Sequence, residues 1–293
     1  MTLDELEYRF VRPLEQLLTL ATGTHCEALE LQVGNDDGSD DLLANWPSNS
    51  YAVRRRSSDQ CQAERPMIRQ RMRFGMHCAA YPPNIDFGTL VPRWYALQAQ
   101  LSSACDLIFS LRSDAGGYLQ QQMFTIASAV EALHRGLYPQ LEEKTDDERA
   151  RNKTILAAVK SGCPEHHEWL AGVIQFAHRR SYVFRVRALL QDTDHLMSAI
   201  VGDEEKWTQQ LRDIRDGIGH VLPAQDDMTV DQMVAMLDSA RLFAEVVLLR
   251  RLGFTDAECR RSLEHHWERE NVRALVEKGF PEWFASPAVT GRS

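Results

Sequence analysis

From about residue 90 onward the apolar residues recur at intervals of three and four, and that period limits the larger part of this chain to packed helices. VPRWYALQAQLSSA reads as a short helix. Residues 115–138 read as the first long one, with Leu119, Met123, Ile126, Ala127, Val130, Leu133 and Leu137 along one stripe. Thr145 and Glu148 make a capping box for a helix through about Lys160, closed by Gly162. Pro164 opens the next at its first turn, carrying Trp169, Val173 and Phe176. A further helix is expected from about Tyr182 to Ile200. Asp203 caps another that ends near His220, Thr229 starts one that Gly253 closes, and Thr255 with Glu258 caps the one after it. CDLIFSL, an unbroken apolar run, reads as extended and buried.

The first 90 residues have a different rhythm. Leu6, Phe10, Leu14, Leu17 and Leu18 mark a helix over residues 3–21 that Gly23 ends. CEALELQV then alternates like a half-buried strand, NDDGSDD is a turn-rich loop, YAVRRR is a candidate strand and MIRQRMRF alternates with imperfect phase. The prolines and glycine of YPPNIDFG end that stretch. The expected architecture is mainly α: an up-and-down helical bundle over 111–268, preceded by a small α+β region over 1–110 and followed by a C-terminal helix and tail over 269–293.

Charge and cysteine usage narrow the function. With a net charge of −9, the chain is not built to coat duplex DNA through bulk positive charge, so any nucleic-acid site must be local. The basic residues are 28 Arg against 5 Lys, a bias that suits bidentate work on carboxylates and phosphates but is equally a habit of GC-rich bacterial coding. The six cysteines include no C-x-x-C pair, which argues against a zinc ribbon or a disulfide framework and for a reducing cytoplasm. Cys61 with His77 and Cys78 is the one metal arrangement to weigh. It fails if that segment is a strand, because neighbouring residues then point to opposite faces. No metal or other cofactor is therefore expected. No cationic start precedes an apolar run, and no stretch approaches 18 apolar residues, so no membrane association is expected.

The stretch LRDIRDGIGHVLP (211–223) is the candidate for chemistry. An Arg followed at short range by a His is common here: about five pairs fit, where chance predicts about three. Arg215 and His220 differ from the others in three ways. Asp216 follows the arginine and can orient a cation through a charge-assisted hydrogen bond. Gly217 and Gly219 offer local unwinding, which would help side chains five residues apart to converge. Pro223 stops the helix, leaving His220 at its end, where the macrodipole favours imidazolium, although Arg and His at a helix C-terminus also commonly serve only to satisfy its last carbonyls.

RDGIGH resembles the R-φ-x-x-x-H signature of HEPN domains, in which φ is a polar residue, here Asp216. QQQMFTIASAVEALHRGLYP resembles the first helix of the HEPN domain of ApeA-like anti-phage proteins. The preceding VPRWYALQAQLSSACDLIFSL and the later helix running into LGFTDAE are also similar to that family. The likeness covers roughly residues 90–268. It differs from the family's usual pattern in its short N-terminal region, in Asp at φ and in two glycines within the motif.

The resemblance implies a helical bundle that dimerises, pairing two motifs in one cleft, and a metal-independent endoribonuclease of bacterial anti-phage defence or a toxin system. Arg215 would stabilise the scissile phosphate, His220 would shuttle the proton, and Asp216 would orient them. Glu131, His134 and Arg135 are the supporting candidates: Glu131 and His134 are able to meet Arg215 across the bundle, where a buried Glu–Arg pair would equally be structural, and Arg135 is expected at the surface or facing phosphate. Arg179, Arg180 and Arg212 are candidate RNA contacts. The first two belong to HRRSYVFRVR, in which Val183, Phe184 and Leu190 are expected in the core. RNA (with tRNA among the candidates), a second copy of the chain and a phage trigger or regulatory partner are the expected partners. The alternatives are a non-catalytic HEPN dimer that binds RNA or protein and a helical signalling or toxin-neutralising protein unrelated to that family.

Overall fold

A computed structural model describes residues 2–28, 30–33, 51–54, 75–76, 84–113, 117–220, 228–264 and 268–285. Helix α1 (Leu3–Leu6) passes through a π-helical turn (Glu7–Val11) into α2 (Arg12–Thr22), which Gly23 stops in the left-handed conformation at φ 71°. Four short strands follow. β1 (Glu30–Val33) pairs antiparallel with β2 (Tyr51–Arg54) in the register Glu30 to Arg54, and β3 (Gly75–Met76) pairs parallel with β4 (Asn84–Ile85). MIRQRMRF and NDDGSDD lie outside the described residues.

Asp86 caps α3 (Phe87–Gln100) by accepting from the Thr89 amide at 2.8 Å. α4 (Ser102–Ser113) corrects the expectation for CDLIFSL, which is helical and not extended. Its apolar run conceals a helical stripe: Leu101, Ala104, Cys105, Ile108 and Phe109 are all buried. Trp94 of α3 stands edge-on to Phe109, with centroids 6.0 Å apart, and donates its indole N–H to the Pro13 carbonyl.

The long helix α5 (Leu119–Leu137) is the hub, packed against α4, α8 (Tyr182–Asp192), α10 (Glu204–His220) and α11 (Val230–Arg251). Between α5 and α8, a 3-10 turn (Pro139–Leu141), α6 (Asp146–Gly162), a second 3-10 turn (Pro164–His166) and α7 (His167–Ile174) make an excursion. The Thr145–Glu148 capping box is present. α7 buries nothing, so Trp169, Val173 and Phe176 face outward.

The helix expected to run from Tyr182 to Ile200 is broken. Thr193 turns its hydroxyl onto the Leu189 and Leu190 carbonyls, Asp194 and His195 take positive φ of 47° and 53°, and α9 (Ser198–Val201) restarts the chain. Gly202, at φ 72°, then passes so close to the Trp283 carbonyl that an added Cβ would lie 2.6 Å from its oxygen.

α11 is buried on nearly all sides, from Ala235 to Leu249, and so shows no single apolar face. Gly253 closes it at φ 96°, and α12 (Asp256–Glu264), α13 (Glu268–Gly279) and a 3-10 turn (Pro281–Trp283) complete the bundle. One contiguous core extends from Leu17 to Trp283. Within it Arg112 of α4 clamps the buried Glu245 of α11 with two 2.9 Å hydrogen bonds and donates to the Gly23 carbonyl, tying the N-terminal helix to the centre.

Candidate functional site

Helix α10 carries Arg215 and Asp216 near its C-terminal end and finishes at His220. It runs unbroken through Gly217 and Gly219, so the unwinding that those glycines lead one to expect does not occur. Along an intact helix two residues five apart are separated by about 7.5 Å of rise and about 140° of rotation. The backbones of Arg215 and His220 therefore flank different sides of the helix end. The side chain of His220 lies outside the described residues.

Arg215 turns back onto α5. Its Nη2 donates to Glu131 Oε2 at 2.9 Å, its Nη1 donates to Asp216 Oδ1 at 2.8 Å, and its guanidinium carbon lies 5.8 Å from the centre of the Tyr182 ring. The Asp216 hydrogen bond, followed by the charge of Glu131, holds the guanidinium above even its ordinary range. With 36% of the side chain exposed and five N–H donors on a guanidinium, the arrangement leaves capacity for an incoming anion.

Glu131 accepts on both oxygens. Oε1 takes Arg135 at 2.8 Å, one helical turn away, and has Arg185 Nε at 3.9 Å. Arg185 is almost fully buried and is gripped by both carboxylate oxygens of Glu142, with Nη2 to Oε2 at 3.0 Å. That binding, more than any other influence, lowers the Glu142 pKa. Arg135 lies 3.6 Å from the same carboxylate. The result is a lattice of three arginines and three acids reaching from the buried flank of α8 to the half-exposed Arg215.

His134 does not join Arg215. It is fully buried and its Nδ1 lies 3.2 Å from Arg185 Nη1. An arginine only donates, so Nδ1 accepts and the ring proton sits on Nε2. Burial first, and the Arg185 charge second, lower its pKa and keep the ring neutral. Tyr182, also buried, donates to the Ala127 carbonyl at 3.2 Å, and burial followed by the Glu131 charge pushes its phenol well above the usual range.

Two expectations for α8 are inverted. Phe184 is exposed and Val183 half-buried, whereas Arg185, grouped by sequence with outward-facing cations, occupies the core face with Tyr182, Val186, Leu189 and Leu190. Arg185 sits three residues after Tyr182 and four before Leu189, which is the spacing that could have placed it. Its partner Glu142, in the segment after Pro139, carries no such signal. Arg179 lies with its guanidinium 4.4 Å above the Phe176 ring and Arg180 5.4 Å from the Phe184 ring, both exposed. Arg212 pairs with its neighbour Asp213 at 2.6 Å, apart from Arg215.

Among the described residues no three His, Cys, Asp or Glu are placed to hold a metal, and no helix is long and apolar enough to cross a membrane. Cys61, His77 and Cys78 lie outside those residues. Residues 124–258 match the family described as Apea-like HEPN, a span that contains Glu131, Arg135, Glu142, Arg185 and the whole of α10. No curated protein and no solved structure matches the chain.

Proposed function

We propose that this chain, which carries an Apea-like HEPN domain over residues 124–258, is a metal-independent endoribonuclease acting as a dimer in anti-phage defence or a toxin system. The observation that carries the proposal is the placement of Arg215: oriented by Glu131 and Asp216, half-exposed, and on the helix whose last residue is His220. In this reading Arg215 neutralises the charge that builds on the non-bridging phosphate oxygens. His220 moves the proton, taking it from the 2′-hydroxyl or giving it to the departing 5′-oxygen. The 2′-oxygen bonds to phosphorus as the bond to the 5′-oxygen breaks, leaving a 2′,3′-cyclic phosphate and a 5′-hydroxyl.

The helix geometry supports the dimer. Arg215 and His220 flank different sides of one α10, so the α10 of a second copy supplies complementary groups to a shared phosphodiester. Glu131 and Asp216 position Arg215 here, Arg135 braces Glu131, and Arg179, Arg180 and Arg212 are the cations for the RNA backbone. His134 serves the lattice through Arg185. The cytoplasm is the proposed site of action, with RNA (tRNA among the candidates) as substrate and a phage component or regulatory partner as trigger.

The test is incubation of the purified protein with RNA in EDTA. Fragments with 2′,3′-cyclic phosphate ends, lost in His220→Ala and in Arg215→Ala, are the expected result; cleavage that survives His220→Ala overturns it. A second reading, a non-catalytic HEPN dimer that binds RNA or protein, is favoured by the two carboxylates that already occupy Arg215. It predicts that His220→Ala leaves the growth effect of expression unchanged.

A further inference from the structure

The excursion between α5 and α8 is unlike the rest of the molecule. In α6 only Asn152 is buried and in α7 nothing is, so the two helices form a hairpin packed mainly on itself, with the Asn152 amide donating to the Ile174 carbonyl. Such a hairpin contributes little to the core, yet it presents Trp169 with 68% of its surface exposed and Phe176 with 49%. Phe184 stands exposed just beyond the connecting turn.

The hairpin as a whole is nearly balanced in charge, with six Lys or Arg against five Asp or Glu over residues 146–181, but residues 175–184 at its exit carry cations and no acid. Two of these cations are stacked on the exposed rings: Arg179 on Phe176 and Arg180 on Phe184. Guanidinium planes laid on exposed aromatic rings, in a turn that carries no carboxylate, match the faces of unpaired bases and the phosphates between them.

We infer that the α6–α7 hairpin and the turn into α8 form a stacking surface for unpaired RNA, with Trp169, Phe176 and Phe184 as ring contacts and Arg179 and Arg180 as base-stacking and phosphate contacts. The inference rests on RNA being the ligand of the neighbouring site. α8 connects the two regions, since Tyr182 lies beneath Arg215 while Phe184 lies beside Arg180. RNA held on this surface would enter the Arg215 site in single-stranded form, so the preferred substrate is a loop, bulge or end and not a continuous duplex.

The test uses the full chain and a fluorescent 2′-O-methyl oligonucleotide, which has no 2′-hydroxyl to attack and so reports binding alone. Wild type is expected to bind an unstructured 12-mer at least tenfold more tightly than the same sequence in a duplex. Phe176→Ala and Trp169→Ala each weaken the 12-mer about tenfold, and Arg179→Ala lowers the salt dependence by about one phosphate contact. Circular dichroism melts confirm that the variants fold. Equal binding of duplex and single strand, or variants that bind like wild type, overturns the inference. So does a loss of dimer mass in Trp169→Ala, which would make this face a contact between copies. Absence of cleavage in wild type beside intact single-strand binding would remove the nuclease reading and leave the stacking surface standing. His220-dependent cleavage with unaltered binding in the variants would do the reverse.

Discussion

Glu131 and Arg215, from α5 and α10, meet at 2.9 Å, and the second oxygen of the same carboxylate holds Arg135 at 2.8 Å. Glu131→Gln keeps the shape but removes the charge that orients both arginines. RNA cleavage is expected to fall by roughly ten- to a hundredfold, while a partly exposed pair costs only about 1 kcal/mol of stability. Parallel measurement of cleavage rate and urea midpoint separates the two effects.

Arg185 and Arg187 both pair with a glutamate, two residues apart on α8 and on opposite sides of it. Arg185 is buried against Glu142 and His134, whereas Arg187 and Glu205 are each more than half exposed. Arg185→Met should cost about 3 kcal/mol, because it strands a carboxylate and a buried ring nitrogen. Arg187→Met should cost about 0.5 kcal/mol. Similar losses from the two in denaturant titrations would show that the burial of Arg185 does not matter.

The pKa of His134 lies below its ordinary value, through burial first and the Arg185 charge second. Unfolding restores a value near about 6.5, so below that pH the unfolded chain binds more protons than the folded one. This contribution to stability is complete above about pH 6.5 and declines as the pH falls below it. The urea midpoint should drop between pH 7.5 and pH 5.5, and His134→Gln, which keeps an acceptor for Arg185, should reduce that drop. An identical drop in the variant would assign the pH dependence to other groups.

Two threonine caps distinguish local from global stability. Thr145 and Thr229 each accept from the backbone three residues on and complete a capping box. Either alanine substitution removes about 1 kcal/mol from its helix. For Thr229→Ala the loss should appear in global unfolding, because α11 forms the core. For Thr145→Ala it should appear as faster amide exchange across α6 with an almost unchanged melting temperature.

The cysteines divide by burial. Cys163 is exposed, whereas Cys105 and Cys259 are buried and their thiols are pushed up to about 12, chiefly by desolvation. Peptide-mapped alkylation at pH 7.5 should modify Cys163 within minutes and reach Cys105 and Cys259 only in denaturant. Rapid native labelling of Cys105 would contradict its place between α4 and the core.

Helix order, the Thr145 and Thr255 caps and the place of Arg215 on a helix ending at His220 were legible because each depends on residues within a few positions of one another. CDLIFSL was not: a short run with few polar interruptions hides whether its period is two or three and a half, and Cys105, Ile108 and Phe109 share a helical face only once α5 packs on them. Phe184 and Arg185 exchanged their expected environments for a related reason. Residue type favours burying the phenylalanine, but the register set by Tyr182 and Val186 turns Arg185 inward, where Glu142 and His134 arrive from elsewhere in the chain to neutralise and hold it. Glu131 could be named from its position on α5, whereas the partner of His134 is fixed by the packing of α8. The break at Asp194 and His195 depended on a left-handed turn that those residue types tolerate but do not announce.

The hairpin of α6 and α7 leans on so little of the bundle that its length and its outward residues are free to drift. Insertions, deletions and exchanged side chains there would leave the hub helix and the Arg215 lattice undisturbed. Sequence variation among relatives should therefore concentrate between residues 146 and 181 while the lattice stays fixed.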